Sequence, residues 1–144
     1  HRRLERADRS MYGALDATMM VLTTNPVDQA VINALQSAAT ALGHESGCSV
    51  LTTGEAAQHG GLASLILEAD PWSVVAIDDA AIDALRDAFG AESGGLRPGK
   101  PLQAGGGYTL VAVPGFAECL DNQEKKRVAW GQLKAARHPG NPLG

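Results

Sequence analysis

Aromatic residues are scarce in this chain of 144 residues, at 4%, and charged residues reach only 19%. A core must therefore be assembled from aliphatic side chains and methionine. Two cysteines, Cys48 and Cys119, are too few and too far apart in sequence for a disulfide scaffold or a zinc cluster, and both read as buried thiols. No run approaches the roughly 20 consecutive apolar residues of a membrane-spanning helix, so a soluble chain without a membrane partner is expected. The chain opens His1-Arg2-Arg3 without Met, which reads as a trimmed start or a leftover tag residue. It shows no signal-peptide pattern, and a cytoplasmic compartment is expected. What is present is enough for a core. With 44% hydrophobic residues, a chain of this length buries roughly 70% of the surface that its unfolded form exposes. One domain over residues 1–144 is expected, with 1–16 as an N-terminal helix or basic arm.

The net charge of −4 conceals an uneven distribution. Asp16 to Glu92 contains eleven acidic side chains and one basic one, Arg86, whereas from Arg97 onward seven basic residues face three acidic ones. An acidic body weakens contact with a phosphate backbone, since each phosphate must be met by a cation. Lys125-Lys126-Arg127 is the one compact basic run outside the N-terminal arm. It reads first as a solvated helix face, and second, with the arm, as the place where a protein partner or DNA would touch.

Apolar periodicity alternates between strand and helix. Thr18–Thr23, Cys48–Leu51 and Ser73–Ile77 are short apolar runs of the kind buried on both faces of a parallel sheet. Between them lie amphipathic stretches with start signals. Asn25-Pro26 reads as an N-cap followed by a first-turn proline, Thr52-Thr53-Gly54-Glu55 as a capping box, and Asp78-Asp79 as a cap closed later by Gly90. Pro101–Gln103 and Tyr108–Val113 flank a glycine-rich turn and read as a hairpin. Asp121-Asn122 reads as the cap of a last helix carrying Val128, Trp130 and Leu133. The pattern predicts a three-layer α/β/α sandwich around a mostly parallel, four-stranded central sheet.

In such a sheet, function sits outside the carboxyl ends of the strands. The candidate crevice is therefore Thr23, Thr24, Asn25, Pro26, Thr53, Asp78, Pro114, Gly115 and Phe116. The helix starts carry their own carboxylates, Asp28, Glu55, Asp78 and Asp79, which take up the positive end of each helix dipole and would repel a phosphate. Gly105-Gly106-Gly107 lacks the G-x-G-x-x-G spacing and precedes a strand rather than a helix. Asp78-Asp79 reads as one cap and one solvated charge rather than as an acid–base pair or metal site. His59 is a weak candidate for a general base, and no Ser or Cys has an evident His partner. No metal and no cofactor are expected.

The order of elements and several strings resemble the uracil-DNA glycosylase superfamily over residues 17–136. The strings are Leu96-Arg97-Pro98-Gly99-Lys100, the hairpin, Val111–Pro114, and Asp121-Asn122-Gln123-Glu124-Lys125-Lys126-Arg127-Val128-Ala129-Trp130. The resemblance implies that Thr23-Thr24-Asn25-Pro26-Val27 stands where the family positions its attacking water, which makes Asn25 the one candidate catalytic residue. The second family motif, a His-Pro-Ser or Pro-Ser loop, is matched by Val113-Pro114-Gly115-Phe116, which has neither His nor Ser. His138-Pro139-Gly140 resembles that motif but follows the last helix. A non-enzymatic relative, the psi subunit of the bacterial clamp loader, is similar at Pro114, Asn122 and Trp130. The implied function is a catalytically silent binding or adaptor module of DNA replication or repair; the alternative is a divergent glycosylase that acts on uracil or a related base through Asn25.

Overall fold

The computed structural model describes residue 13 and residues 17–104 and 107–137. The expected N-terminal helix or arm and His138-Pro139-Gly140 lie outside the described residues.

Along the chain the elements are β1 (Met19–Thr23), α1 (Gln29–Ala41), β2 (Cys48–Thr52), α2 (Thr53–Gln58), α3 (Leu62–Ala69), β3 (Ser73–Ala76), α4 (Asp79–Phe89), β4 (Leu102–Ala104), β5 (Tyr108–Ala112) and α5 (Gln123–Leu133). Three 3₁₀ turns, Gly90–Ser93, Phe116–Asp121 and Lys134–Ala136, complete them. The strands form one sheet in the order β2-β1-β3-β5-β4. The first four in that order run parallel, with Met19 level with both Cys48 and Ser73, and Ser73 level with Thr109. β4 pairs antiparallel with β5, Gln103 opposite Thr109. The sheet thus has five strands rather than four. The hairpin foreseen around the glycine-rich turn is present, but its short first arm adds to the main sheet and forms its outer edge.

Right-handed crossovers decide the layering. β1 steps to β2 through α1 in one direction, whereas β2 to β3 and β3 to β5 step the other way through α3 and α4. α1 and α5 consequently cover one face, and α3 and α4 the other. Double coverage explains why Met19, Met20, Val21 and Leu22 are all fully buried although adjacent residues point to opposite faces. The core is aliphatic: Leu35, Leu51, Leu65, Ile66, Leu85, Leu96 and Leu110 are buried completely. Each such side chain is worth roughly 1.5–3 kcal/mol relative to exposure. Of the scarce aromatics, Tyr108 and Phe116 are buried in the core, and the half-buried Phe89 meets Tyr108 edge-on at a 6.1 Å centroid separation. Burial raises the Tyr108 hydroxyl above its ordinary pKa, and the nearby Asp70 carboxylate adds to the rise. Burial likewise pushes the Cys48 thiol up to about 12, which leaves it protonated and unreactive.

Helix starts follow the sequence signals with one correction. Thr52 accepts from Glu55 N at 3.0 Å, Asp78 from Ala81 N at 2.8 Å, and Asn122 from Lys125 N at 3.0 Å. α1, however, is capped by Asp28, which accepts from Val31 N at 3.1 Å, and not by Asn25. Asp28 satisfies a helix N–H and leaves Asn25 to Val27 as loop. The helix opened by Thr52 also breaks at Gly60-Gly61, both at positive φ, and resumes as α3. Gly13 lies against the β2 edge, where a Cβ would run into the Cys48 carbonyl oxygen.

At the amino ends of the strands, His44 is fully buried. Its Nε2 lies 2.7 Å from the Ala136 carbonyl and donates to it, and Nδ1 lies 2.8 Å from Thr18 Oγ1. Ser73 Oγ donates to the same carbonyl at 3.1 Å. The 3₁₀ turn that follows α5 is thus fastened under β1 and β3. His44→Ala is expected to lower unfolding stability by about 2–4 kcal/mol, from the cavity and the lost hydrogen bonds together. Urea denaturation monitored by circular dichroism checks it.

Candidate functional site

β1 and β3 are neighbours whose following connections leave toward opposite faces, so a crevice opens between their carboxyl ends. A cleft of about 400 Å³ lies there, lined by Thr23, Thr24, Asn25, Pro26 and Val27 from one strand end and by Ile77, Asp78, Asp79 and Ala80 from the other, with Ala117 and Glu118 closing it.

The chemistry of the cleft turns on Asp78. Its Oδ2 accepts from Thr24 N at 2.8 Å and from Thr23 Oγ1 at 3.0 Å; its Oδ1 accepts from Thr24 Oγ1 at 2.6 Å and from Ala81 N at 2.8 Å. The Thr23 hydroxyl shares its hydrogen with the Asn25 carbonyl, also at 3.0 Å. An ionised carboxylate has about four lone-pair sites, and four donors fill them. Burial pushes the Asp78 carboxyl up, but the hydrogen bonds from Thr24, Ala81 and Thr23 together outweigh it and hold the group below its ordinary value. Asp78 therefore caps α4 and ties it to the end of β1, with no lone pair left to take a proton from substrate or water.

The remaining candidates divide among neighbouring surfaces. Asn25 is exposed on the cleft rim, and Pro26 beside it lines the same cleft. Pro114 and Gly115 line a separate hollow of about 450 Å³ between α5 and the turn Phe116–Asp121. Gly115, at φ +76°, supplies the left-handed residue from which that turn starts. Phe116 is buried and faces a third hollow between α1 and α5. Thr53 begins α2 at the edge strand and lines none of the three. His59, the C-cap of α2, lines none of them either. Val27 belongs to the stretch that carries the family resemblance, whereas Ala117 and Glu118 complete the cleft without a sequence signal, because the 3₁₀ turn that carries them meets the end of β1 only in three dimensions.

Among the described residues, the charged ones lining the cleft are Asp78, Asp79 and Glu118, all acidic. Among the described residues the cleft offers no cation for a phosphate and no Ser, Cys or His for nucleophilic or general-base work. Among the described residues no group of three or more His, Cys, Asp or Glu is placed to hold a metal ion, and no helix is long and apolar enough to cross a membrane.

The Asp78 carboxyl titrates lower in the folded state than in the unfolded chain. Its stabilisation is accordingly present above the ordinary value of 3.8 and is lost as pH falls through the folded value. Asp78→Ala is expected to cost about 2–4 kcal/mol at neutral pH through the lost cap and charged hydrogen bonds. It should also flatten the acid limb of stability against pH, measured by urea unfolding between neutral and acidic buffers. In comparison with known proteins, no protein-family model matches the chain, and no curated protein matches it.

Proposed function

We propose that this chain is a catalytically silent binding module of the uracil-DNA glycosylase-like kind, an adaptor rather than an enzyme. The observation that supports this most directly is the saturated Asp78 carboxylate in the switch-point cleft. Base excision requires a group that activates water, donors that stabilise the departing base, and cations that hold the flanking phosphates. At the place where that chemistry would be done, the half-buried Asp78 carboxylate is occupied as a structural clamp, and the other charges among the described lining residues are negative. A phosphate-bearing substrate meets repulsion there.

A second reading is favoured by one position. Asn25 stands on the rim directly after β1, exposed and outside any helix, where the family resemblance puts a water-positioning residue. In that reading the chain is a divergent glycosylase.

Uracil release from single- and double-stranded uracil-containing DNA separates the two. The non-catalytic reading expects no release above the protein-free background and no change in Asn25→Ala. Turnover that Asn25→Ala abolishes would overturn it in favour of the second reading.

A further inference from the structure

Among the described residues, hollows around the carboxyl end of the sheet and α5 differ in the sign of their charge. The switch-point cleft is lined by three carboxylates. The hollow between α5 and the turn Phe116–Asp121 carries Glu118 and Glu124 against Lys125. Among the described residues, the groove between α1 and α5 has a single charged lining residue, Lys126, above an otherwise apolar surface.

That groove is built by sequence features of both helices. α1 contains no charged residue at all and presents the half-buried Ala34 and Ala38 to the groove. Phe116 and Leu120 contribute to its floor, and the half-buried Trp130 contributes to the α5 wall. α5 is thinly seated, with only Ala129 and Leu133 buried, and so it does not close against α1. Lys126 lines the groove and is exposed; of the other exposed cations nearby in sequence, Lys125 lines the adjoining hollow, Arg127 is paired with Glu124, and Lys134 follows Trp130 by one helical turn. The one acid on the helix, Glu124, is already engaged by Arg127 at 3.0 Å. Asp121 and Glu118, in the adjoining turn, do not line the groove. At about 280 Å³ it is smaller than a typical small-molecule pocket and suits one large apolar side chain from a longer partner.

We infer that the α1–α5 groove docks an acidic segment of a partner protein, one large apolar side chain entering between Ala38 and Trp130 while flanking carboxylates meet Lys126 and the cations around it. Charge complementarity selects the occupant: an acidic peptide is attracted to this face and repelled by the cleft. A nucleic acid gains from the cations but has no use for the apolar floor. The inference rests on the reading of the chain as a binding module and names what that module binds.

The test uses Trp130 as reporter in the full chain carrying Trp72→Phe, with a short peptide in which a Leu-Phe pair sits among Asp and Glu residues. Saturable binding with a shift of Trp130 emission is expected. Replacing the Leu-Phe pair by Ser should weaken binding at least about tenfold, the lower end for loss of a buried apolar anchor. Lys126→Glu and Ala38→Glu should each do the same, with far-ultraviolet circular dichroism confirming the fold; because Lys126 is exposed, that variant keeps the test decisive even if Ala38→Glu fails to fold. The inference is overturned if the peptide does not bind, if the Ser peptide binds equally, if neither substitution weakens it, or if oligothymidylate displaces it. Concentration-dependent self-association in sedimentation that buries Trp130 would also overturn it, by making a second copy the occupant. Uracil release is measured on the same protein, so absent peptide binding with absent release rejects the occupant alone and leaves the non-catalytic reading standing.

Discussion

The junction of β1, β3 and α4 depends on one carboxylate. Asp78 gathers donors from two consecutive residues at the end of β1 and from the first turn of α4, and these are groups that the sheet ladder and the helix leave unpaired. Without a charged acceptor there, two strand ends and a helix start would converge with their N–H and O–H groups unsatisfied in a half-buried cleft. The same saturation that makes the junction stable makes it chemically inert. A carboxylate poised for acid–base work needs an open lone pair and a perturbed affinity for protons near working pH, whereas Asp78 is held ionised on all sides.

The two ends of the sheet are thus fastened in different ways. At the carboxyl end an ionised group collects donors; at the amino end the His44 imidazole and the Ser73 hydroxyl converge on the Ala136 carbonyl. Between these fastenings the core is aliphatic and closely covered on both faces, which leaves the faces of the sandwich free to differ in charge. α4 carries Asp79, Asp83 and Asp87 at four-residue spacing along its exposed side, with Arg86 paired to Asp83 at 3.2 Å. α5 carries its cations on the opposite face. Surfaces of opposite sign on the two faces attract charges of opposite sign at a distance.

Much of the architecture was legible in the chain. Continuous apolar runs such as Met19-Met20-Val21-Leu22 have no polar face to offer solvent, so they had to lie inside a sheet covered on both sides. Caps at Thr52, Asp78 and Asn122 were legible because a side-chain acceptor two or three residues before an amphipathic stretch has few other uses. The displaced start of α1 was not. Asn25-Pro26 and Asp28 are both acceptable starts by local chemistry, and the choice fell to Asp28 because β1 and the Asp78 clamp hold Thr23, Thr24 and the Asn25 carbonyl in an extended connection. The fifth strand was half legible: the hairpin was in the sequence, but whether its outer arm joined the main sheet was a matter of long-range pairing.

The sequence alone determined which residues could be buried, where helices could begin, and that the body would be acidic and the last helix basic, because these follow from side-chain chemistry and local spacing. Tertiary structure decided how the candidate crevice was divided. Thr23, Thr24, Asn25, Pro26 and Asp78 came together, whereas Pro114 and Gly115, Phe116 and Thr53 were carried to other surfaces. Strand order and crossover handedness set those distances, and neither is encoded within reach of any single motif. The role of Asp78 was settled in the same way: an aspartate at a helix start reads alike whether it caps, catalyses or binds, and only the donors delivered from a strand more than fifty residues earlier filled its lone pairs.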